Sequence, residues 1–208
     1  MEFDFEKIAA DARYKLLTST IVPRPIAWVT TVSADGVRNA APFSFFNAMG
    51  KEPPLVAIGI QGNDDGSLKD TARNIIETGD FVVNLVTERV AKAMNLTSIA
   101  APAEVDELAL AELDVTPSIK IAPPRITASP VAFECRLHTP LQFASGQFVV
   151  IGEVVQAHVD DDYVLDASKF YIDTAKLTPI GRVHGRGLYV RTAETFQIDR
   201  PPPLKLTK

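Results

Sequence analysis

Residues 26–46 read IAWVTTVSADGVRNAAPFSFF, and this stretch carries the clearest signal of fold class. Its two halves, 26–32 and 37–46, are rich in the β-branched and aromatic residues that favour strands. Between them, residues 33–36 end in Asp35-Gly36, a pair that readily adopts the positive φ angles of a tight hairpin turn. The stretch therefore predicts an antiparallel hairpin within a mainly β protein.

A helix and two further strands follow the hairpin. Apolar runs at residues 55–60 and 81–86 predict the strands. Between them we expect a helix that begins with Ser67 as N-cap, has Asp70 as its capping-box partner and ends at Gly79. Short strands separated by Gly, Pro, Asn and Asp, with few helices, are typical of antiparallel β proteins.

Strand signals return in the second half of the chain. Residues 131–138 alternate in polarity, and their odd-numbered set, which includes Cys135, predicts a buried face. Residues 147–155 are apolar in both alternating sets, so both faces of this strand must be covered. A barrel interior covers one face, and a helix or a second subunit must cover the other. The acidic, alanine-rich residues 102–114 predict a partly helical surface segment.

The composition indicates one globular domain at residues 1–200 and a proline-rich tail at 201–208. Of the 208 residues 46% are hydrophobic and 23% charged, which allows a core without disulfides. A net charge of −5 argues against nucleic-acid and membrane partners, which require clustered basic residues. One cysteine and three scattered histidines predict no metal site. The acidic first residues, and the lack of an apolar run of about 20 residues, favour a cytoplasmic location.

The sequence lacks the familiar catalytic motifs of hydrolases, NTPases and metalloproteases. Three segments instead combine polar and aromatic residues near the ends of predicted elements, at residues 23–31, 41–47 and 67–71. The last offers free backbone N–H groups, the positive end of a helix dipole, two hydroxyls and Lys69, a combination that suits a phosphate. The alternative is that Ser67 only caps the helix and Lys69 lies in water.

The other two segments suit a flat ring but have a structural alternative as well. Ser44 and Asn47 lie among three phenylalanines, so amide and hydroxyl groups could meet the polar edge of a heterocycle while aromatic rings cover its faces. The phenylalanines could equally belong to the core. Trp28 could also be a core residue, and Arg24, between two prolines, could belong to a purely structural bend.

These segments, taken in order, resemble the flavin reductase-like proteins of the FMN-binding split-barrel fold, and within them the flavoredoxin-like branch. The likeness extends over residues 14–191. Its motifs are found at residues 14–17, 23–31, 41–47, 53–56, 69–71, 74, 81–85, 130–136, 151–155, 179–182 and 189.

The resemblance implies a six-stranded antiparallel split β-barrel with flanking α-helices, working as a homodimer with FMN near the subunit interface. It places the FMN phosphate near the start of the predicted helix and near the loop before the first strand. The ring system would lie along residues 28–31 and 44–47. The implied cofactor-binding residues are Arg24, Trp28, Thr30, Thr31, Ser44, Phe45, Phe46, Asn47, Ser67, Lys69 and Thr71.

By the same resemblance, the protein is expected to be an NAD(P)H-dependent flavin reductase in which hydride passes from the nicotinamide to flavin N5. No catalytic side chain is expected, because the flavin carries the chemistry. Two alternatives remain open at this point. One is an FMN-bound electron carrier or flavin-dependent oxygenase, and the other is a flavin-binding module without turnover.

Overall fold

One antiparallel sheet dominates the structure, a computed structural model that describes residues 1–143, 146–185 and 187–203. The strands are β1 (Ala27–Val32), β2 (Arg38–Phe43), β3 (Phe46–Lys51), β4 (Pro54–Ile60), β5 (Asp80–Leu85), β6 (Val115–Thr116), β7 (Arg125–Ile126), β8 (Val131–Gln142), β9 (Phe148–Val159), β10 (Val164–Asp166), β11 (Tyr171–Ile172), β12 (Ile180–Arg182) and β13 (Tyr189–Arg191). The α-helices are α1 (Ala10–Thr20), α2 (Asp70–Thr78), α3 (Ala91–Leu96), α4 (Glu107–Leu110) and α5 (Thr174–Leu177).

Seven strands form the main sheet, in the order β2-β1-β5-β8-β9-β4-β3. Every neighbouring pair in it is antiparallel. The remaining strands form three two-stranded ribbons. The prediction of a mainly β, antiparallel fold with flanking helices is therefore confirmed, although the sheet has seven strands where six were expected.

The difference in strand count arises at Ser44 and Phe45. We predicted one strand over residues 37–46, but β2 ends at Phe43 and β3 begins at Phe46. The side chain of Ser44 accepts a hydrogen bond from Arg24 Nε at 3.3 Å, and the carbonyl of Phe45 accepts one from Gly59 N at 2.7 Å. These contacts hold the two residues between the strands, where both reach the cavity described below.

The predicted hairpin is present. β1 pairs with β2 so that Val32 lies opposite Arg38, and Gly36 has a φ of +85°, a conformation that L side chains rarely adopt. Ser33 closes the turn through two contacts, since its amide donates to Val37 O and its hydroxyl accepts from Val37 N.

Alternation along β1 divides the core into two clusters on opposite faces of the sheet. Ala27 and Val29 belong to one cluster, which α2 covers through Ala72 and Ile75. Trp28 belongs to the other, which includes residues from α3, α4, β7 and β12. Because consecutive side chains of a strand point to opposite faces, the same short strand contributes to both.

The paired strands β8 and β9 depart from the predicted pattern at one position. Cys135 is buried as predicted, but Glu134, on the predicted wetter face, is fully buried as well. A register shift between these two residues accompanies this change, and the carboxylate accepts hydrogen bonds from Ile119 N and Lys120 N at 2.7 Å. A buried carboxylate is stable here because backbone donors satisfy it.

The chain has no helix or strand over residues 192–203, and Pro201, Pro202 and Pro203 are exposed. Residues 204–208, the rest of the predicted proline-rich tail, lie outside the described part of the chain.

Candidate functional site

A cavity of about 310 Å³ opens where the end of β2, the end of β4 and the start of α2 meet. Its size is at the lower end of the range of small-molecule sites. The polar side chains that line it include Asn39, Ser44, Gln61, Asn63, Lys69, Asp70, Thr71 and Glu107. The aromatic and other apolar side chains include Tyr14, Pro42, Phe43, Phe45 and Ile99.

The start of α2 lies at one end of this cavity. Lys69 is the N-cap in extended conformation (φ −66°, ψ 149°), and no described side chain makes a capping hydrogen bond to the helix. The first intrahelical bond runs from Arg73 N to Lys69 O, so the preceding amides of the first turn have no partner within the helix. Uncapped amides at the positive end of a helix dipole bind anions well.

Ser67 does not have the capping role that we predicted. Helix α2 begins three residues later, at Asp70. Ser67 instead closes the preceding loop, because its amide donates to Asp65 Oδ1 and its hydroxyl accepts from Asn63 Nδ2 at 3.0 Å. The predicted end of the helix is confirmed, since Gly79 is the C-cap with a φ of +81°.

We expect the Ser67→Ala substitution to change the free energy of unfolding by less than about 0.5 kcal/mol, because it removes no cap. The matched control is Asp173→Ala, which removes a side chain that does cap a helix, accepting from Lys176 N at 2.9 Å. That loss typically costs about 1 kcal/mol. Urea unfolding of both variants makes the comparison, and equal costs would mean that Ser67 caps α2 in solution.

Thr71 belongs to a buried polar network behind the helix start. It is 2% exposed, and its hydroxyl accepts a hydrogen bond from Asn39 Nδ2 at 2.9 Å. Asn39 Nδ2 also donates to Thr31 Oγ1, which receives a second bond from Asn74 Nδ2 at 3.0 Å. Thr71 thus lines the cavity. Thr31 does not line it and instead accepts hydrogen bonds from Asn39 and Asn74 within the network.

The opposite end of the cavity is aromatic. Phe43 and Phe45 line it, as the sequence suggested, and Tyr14 from α1 joins them. The rings of Tyr14 and Phe45 have centroids 6.2 Å apart and are tilted by 47°, a usual geometry for an aromatic pair. No chemical signal in the sequence pointed to Tyr14, because only the tertiary fold brings α1 to this wall.

Arg24, predicted as a phosphate contact, lies outside the cavity and connects the end of α1 to Ser44. Its side chain is buried and does not line the cavity. The guanidinium donates to Thr18 O at 2.6 Å, to Ile21 O at 3.0 Å and to Val183 O at 3.3 Å, besides its bond to Ser44. Arg24 therefore fixes the end of α1 against Ser44, and we withdraw it from the predicted cofactor contacts.

Trp28 and Thr30 are also core residues. The Trp28 side chain has no exposed surface, and its Nε1 donates to Thr97 Oγ1 at 2.9 Å. Thr30 is equally buried and donates to Pro124 O. Because β1 pairs with β2 on one side and β5 on the other, its backbone lies inside the sheet. Neither residue lines the cavity.

The last two predicted contacts lie on β3 and do not line the cavity. Phe46 packs against the first core cluster, and Asn47 is exposed, with its side-chain oxygen accepting from Ala48 N. Of the eleven predicted residues, the structure thus brings four to the cavity wall: Ser44, Phe45, Lys69 and Thr71.

Residues 19–175, three quarters of the chain, match the family model of the flavin reductase like domain. The chain belongs to the flavin reductase-like family. The resemblance inferred from the sequence is therefore confirmed.

Two solved structures share this fold with substantial identity. The 2-nitrobenzoate 2-nitroreductase NbaA of Pseudomonas fluorescens is 35% identical, with a TM-score of 0.88, covering 97% of this chain and 96% of that one. The nitrilotriacetate monooxygenase component B of Bacillus cereus is 33% identical, with a TM-score of 0.89, covering 95% and 98%. Together with the family match, these similarities indicate a flavin-related oxidoreductase.

Two less similar structures bear on the fold alone. A split-barrel protein from Shewanella frigidimarina is 21% identical, with a TM-score of 0.80 and coverage of 97% of this chain and 100% of that one. The flavoredoxin of Desulfovibrio vulgaris is 19% identical, with a TM-score of 0.75 and coverage of 95% and 97%. These similarities confirm the split-barrel fold that we expected for this flavin reductase-like protein.

Metal ligands and the single cysteine are the other candidates for chemistry in this flavin reductase-like protein. Within the described ranges, no group of three or more His, Cys, Asp or Glu could hold a metal ion. Burial raises the pKa of the Cys135 thiol, which disfavours the reactive thiolate. No helix in the same ranges has the length and apolar character needed to cross a membrane.

Proposed function

We propose that this protein binds FMN in the cavity and acts as an NAD(P)H-dependent flavin oxidoreductase. The observation that carries the proposal is that two chemically different groups of residues line opposite ends of the same cavity. The uncapped start of α2, with Lys69 and Thr71, suits a phosphate, and the pair Phe45 and Tyr14 suits a flat ring. FMN is a molecule with both parts.

The residues present fit this cofactor. The amides of the first turn of α2 would bind the phosphate oxygens, with Lys69 adding a positive charge. Phe43 and Phe45 would cover the ring and keep water from it, while Ser44 is held in place by Arg24. When bound, FMN supplies the redox chemistry by accepting a hydride from NAD(P)H, and the protein contributes binding and orientation.

The decisive experiment is an anaerobic mixture of purified protein, FMN and NADH or NADPH, followed near 450 nm. The proposal expects the flavin absorbance to bleach faster than in a mixture without protein. Bound FMN that does not bleach with either nicotinamide would instead favour an electron carrier, a flavin-dependent oxygenase supplied with electrons from elsewhere, or a module without turnover. A failure to bind FMN would contradict the proposal as a whole.

We further propose that the protein is a homodimer. In the single chain, Val149, Ile151 and Val155 on β9 are only half-buried, on the face opposite to that of the buried Phe148 and Val150. A second subunit is one way to cover this apolar face. Light scattering at micromolar concentration with FMN present is expected to give twice the chain mass of 22.6 kDa. A strictly monomeric mass would contradict this proposal.

A further inference from the structure

Glu107 is a carboxyl group that the proposed flavin contacts leave unexplained. It lies in α4, within the segment 102–114 that we predicted as an acidic surface excursion. The residue is only 6% exposed, and it lines the same cavity as Lys69 and Thr71. A carboxyl group is rarely buried without a partner of opposite charge.

No cation pairs with Glu107 in the described part of the chain. The neighbouring arginines are occupied, because Arg38 binds Asp106 at 2.5 Å and Arg73 binds Asp70 at 2.6 Å. The Oε2 atom of Glu107 accepts one hydrogen bond, from Ala40 N at 3.2 Å. This bond ties α4 to β2 and holds the carboxyl group in the cavity wall.

The second oxygen, Oε1, makes no hydrogen bond to another described residue. Glu107 lines the cavity, and only 6% of the residue is exposed. A ligand in the cavity can therefore contact this carboxyl group.

The surroundings of Glu107 favour its protonated form. Burial raises the pKa of Glu107, and the negative charges of Asp70 and Asp106 raise it further, whereas hydrogen bonds from its own amide and from Ala40 N lower it; the net direction is upward. Asp70 is the first residue of α2, so Glu107 lies within electrostatic reach of the helix start, where we propose that the phosphate binds. The charged or titratable groups on the elements around it are Tyr14, Arg38, Lys69, Asp70, Arg73 and Asp106.

We propose that Glu107 binds the ligand as a neutral carboxylic acid, donating a hydrogen bond from Oε1 to an oxygen of the ligand's phosphate. This inference rests on the proposed function and specifies the protonation state of Glu107 when the ligand is bound. An ionised Glu107 would repel the phosphate, whereas the neutral acid attracts it. Where Glu107 is ionised in the free protein, binding takes up one proton from solution, and no covalent bond is made or broken.

The test compares the FMN affinity of wild type and the Glu107→Gln variant between pH 5.5 and 8.5. Glutamine can still accept from Ala40 N, and its amide can donate to the ligand at every pH. As the pH rises through the pKa of Glu107, the wild-type affinity is expected to fall by up to about tenfold per pH unit relative to the variant. The phosphate of FMN also titrates, near pH 6, but it does so equally with both proteins.

A second variant, Asp106→Asn, keeps the test valid if Glu107→Gln folds poorly. The side chain of Asp106 caps α4 by accepting hydrogen bonds from Leu108 N and Ala109 N, and asparagine can keep this role. The substitution removes the negative charge of Asp106 and its ion pair with Arg38. Both changes lower the pKa of Glu107, so the fall in affinity is expected to begin at a lower pH. The far-ultraviolet circular dichroism spectrum and melting temperature report whether each variant is folded.

The outcomes separate the two proposals. If wild-type protein binds FMN but the affinity ratio between wild type and Glu107→Gln is constant across the pH range, Glu107 does not donate to the ligand. If the Asp106→Asn substitution leaves the pH profile unchanged, the same conclusion follows. If wild-type protein binds no FMN at any pH, the proposed function itself is wrong.

Discussion

Replacement of Trp28 by alanine is expected to lower the free energy of unfolding by about 3–5 kcal/mol, the cost of deleting a large aromatic side chain from a core. Trp28 has no exposed surface, and its neighbours in the second core cluster cannot collapse into the whole space of an indole. The substitution also removes the donor to Thr97 Oγ1. Since the free energy of unfolding of a domain is about 5–15 kcal/mol, this substitution would remove a large part of it.

Urea unfolding followed by far-ultraviolet circular dichroism measures this effect, because the substitution removes the only tryptophan and with it the fluorescence signal. Trp28→Phe is the control, since it keeps an aromatic ring and removes mainly the N–H donor, and it should cost less. A Trp28→Ala variant that unfolds like wild type but no longer binds FMN would show that the indole contacts the ligand after all.

Replacement of Lys69 by alanine is expected to weaken FMN binding by about 10- to 150-fold, which corresponds to the loss of one charge-assisted hydrogen bond of about 1.5–3 kcal/mol. Lys69 is exposed, lines the cavity and has no ion pair within the described residues. Its removal therefore leaves no buried group unsatisfied, and the melting temperature should hardly change. Flavin titration by calorimetry and thermal unfolding measure the two quantities.

Lys51→Ala is the matched control, because Lys51 is an exposed lysine at the end of β3 that does not line the cavity. It should change neither quantity. Riboflavin, which lacks the phosphate, should bind more weakly than FMN and should be indifferent to Lys69→Ala. If riboflavin binds wild type as tightly as FMN does, the start of α2 is not a phosphate site.

Thr71 should behave differently from Lys69, although the sequence predicted both as cofactor contacts. Thr71 is buried and accepts a hydrogen bond from Asn39, so Thr71→Val would leave a buried amide donor short of a partner. Removing one partner of a buried hydrogen bond costs stability as well as any affinity. Lys69→Ala therefore separates ligand binding from folding better than Thr71→Val does.

Local features of the sequence were sufficient for the hairpin, the end of α2 and the class of fold. Asp35-Gly36 and Gly79 have chemistry that hardly depends on the rest of the chain, because a positive φ angle is accessible to glycine wherever it occurs. The strand predicted over residues 26–32 likewise implies two faces, because consecutive side chains of a strand point in opposite directions, but it does not say what covers each face. The family motifs extended this prediction to the split barrel, since they identify a whole chain by the order of its segments.

The sequence by itself thus determined the hairpin, the end of α2 and the family, and it placed Ser44, Phe45, Lys69 and Thr71 among eleven predicted contacts without separating them from the other seven. Only the tertiary structure decided that Trp28 belongs to the core and that Glu107 reaches the cavity. Trp28 bonds a residue 69 positions away, and Glu107 bonds one 67 positions away. Sequence periodicity tells which residues share a face of a strand or helix, but the partner of that face is set by the packing of distant segments.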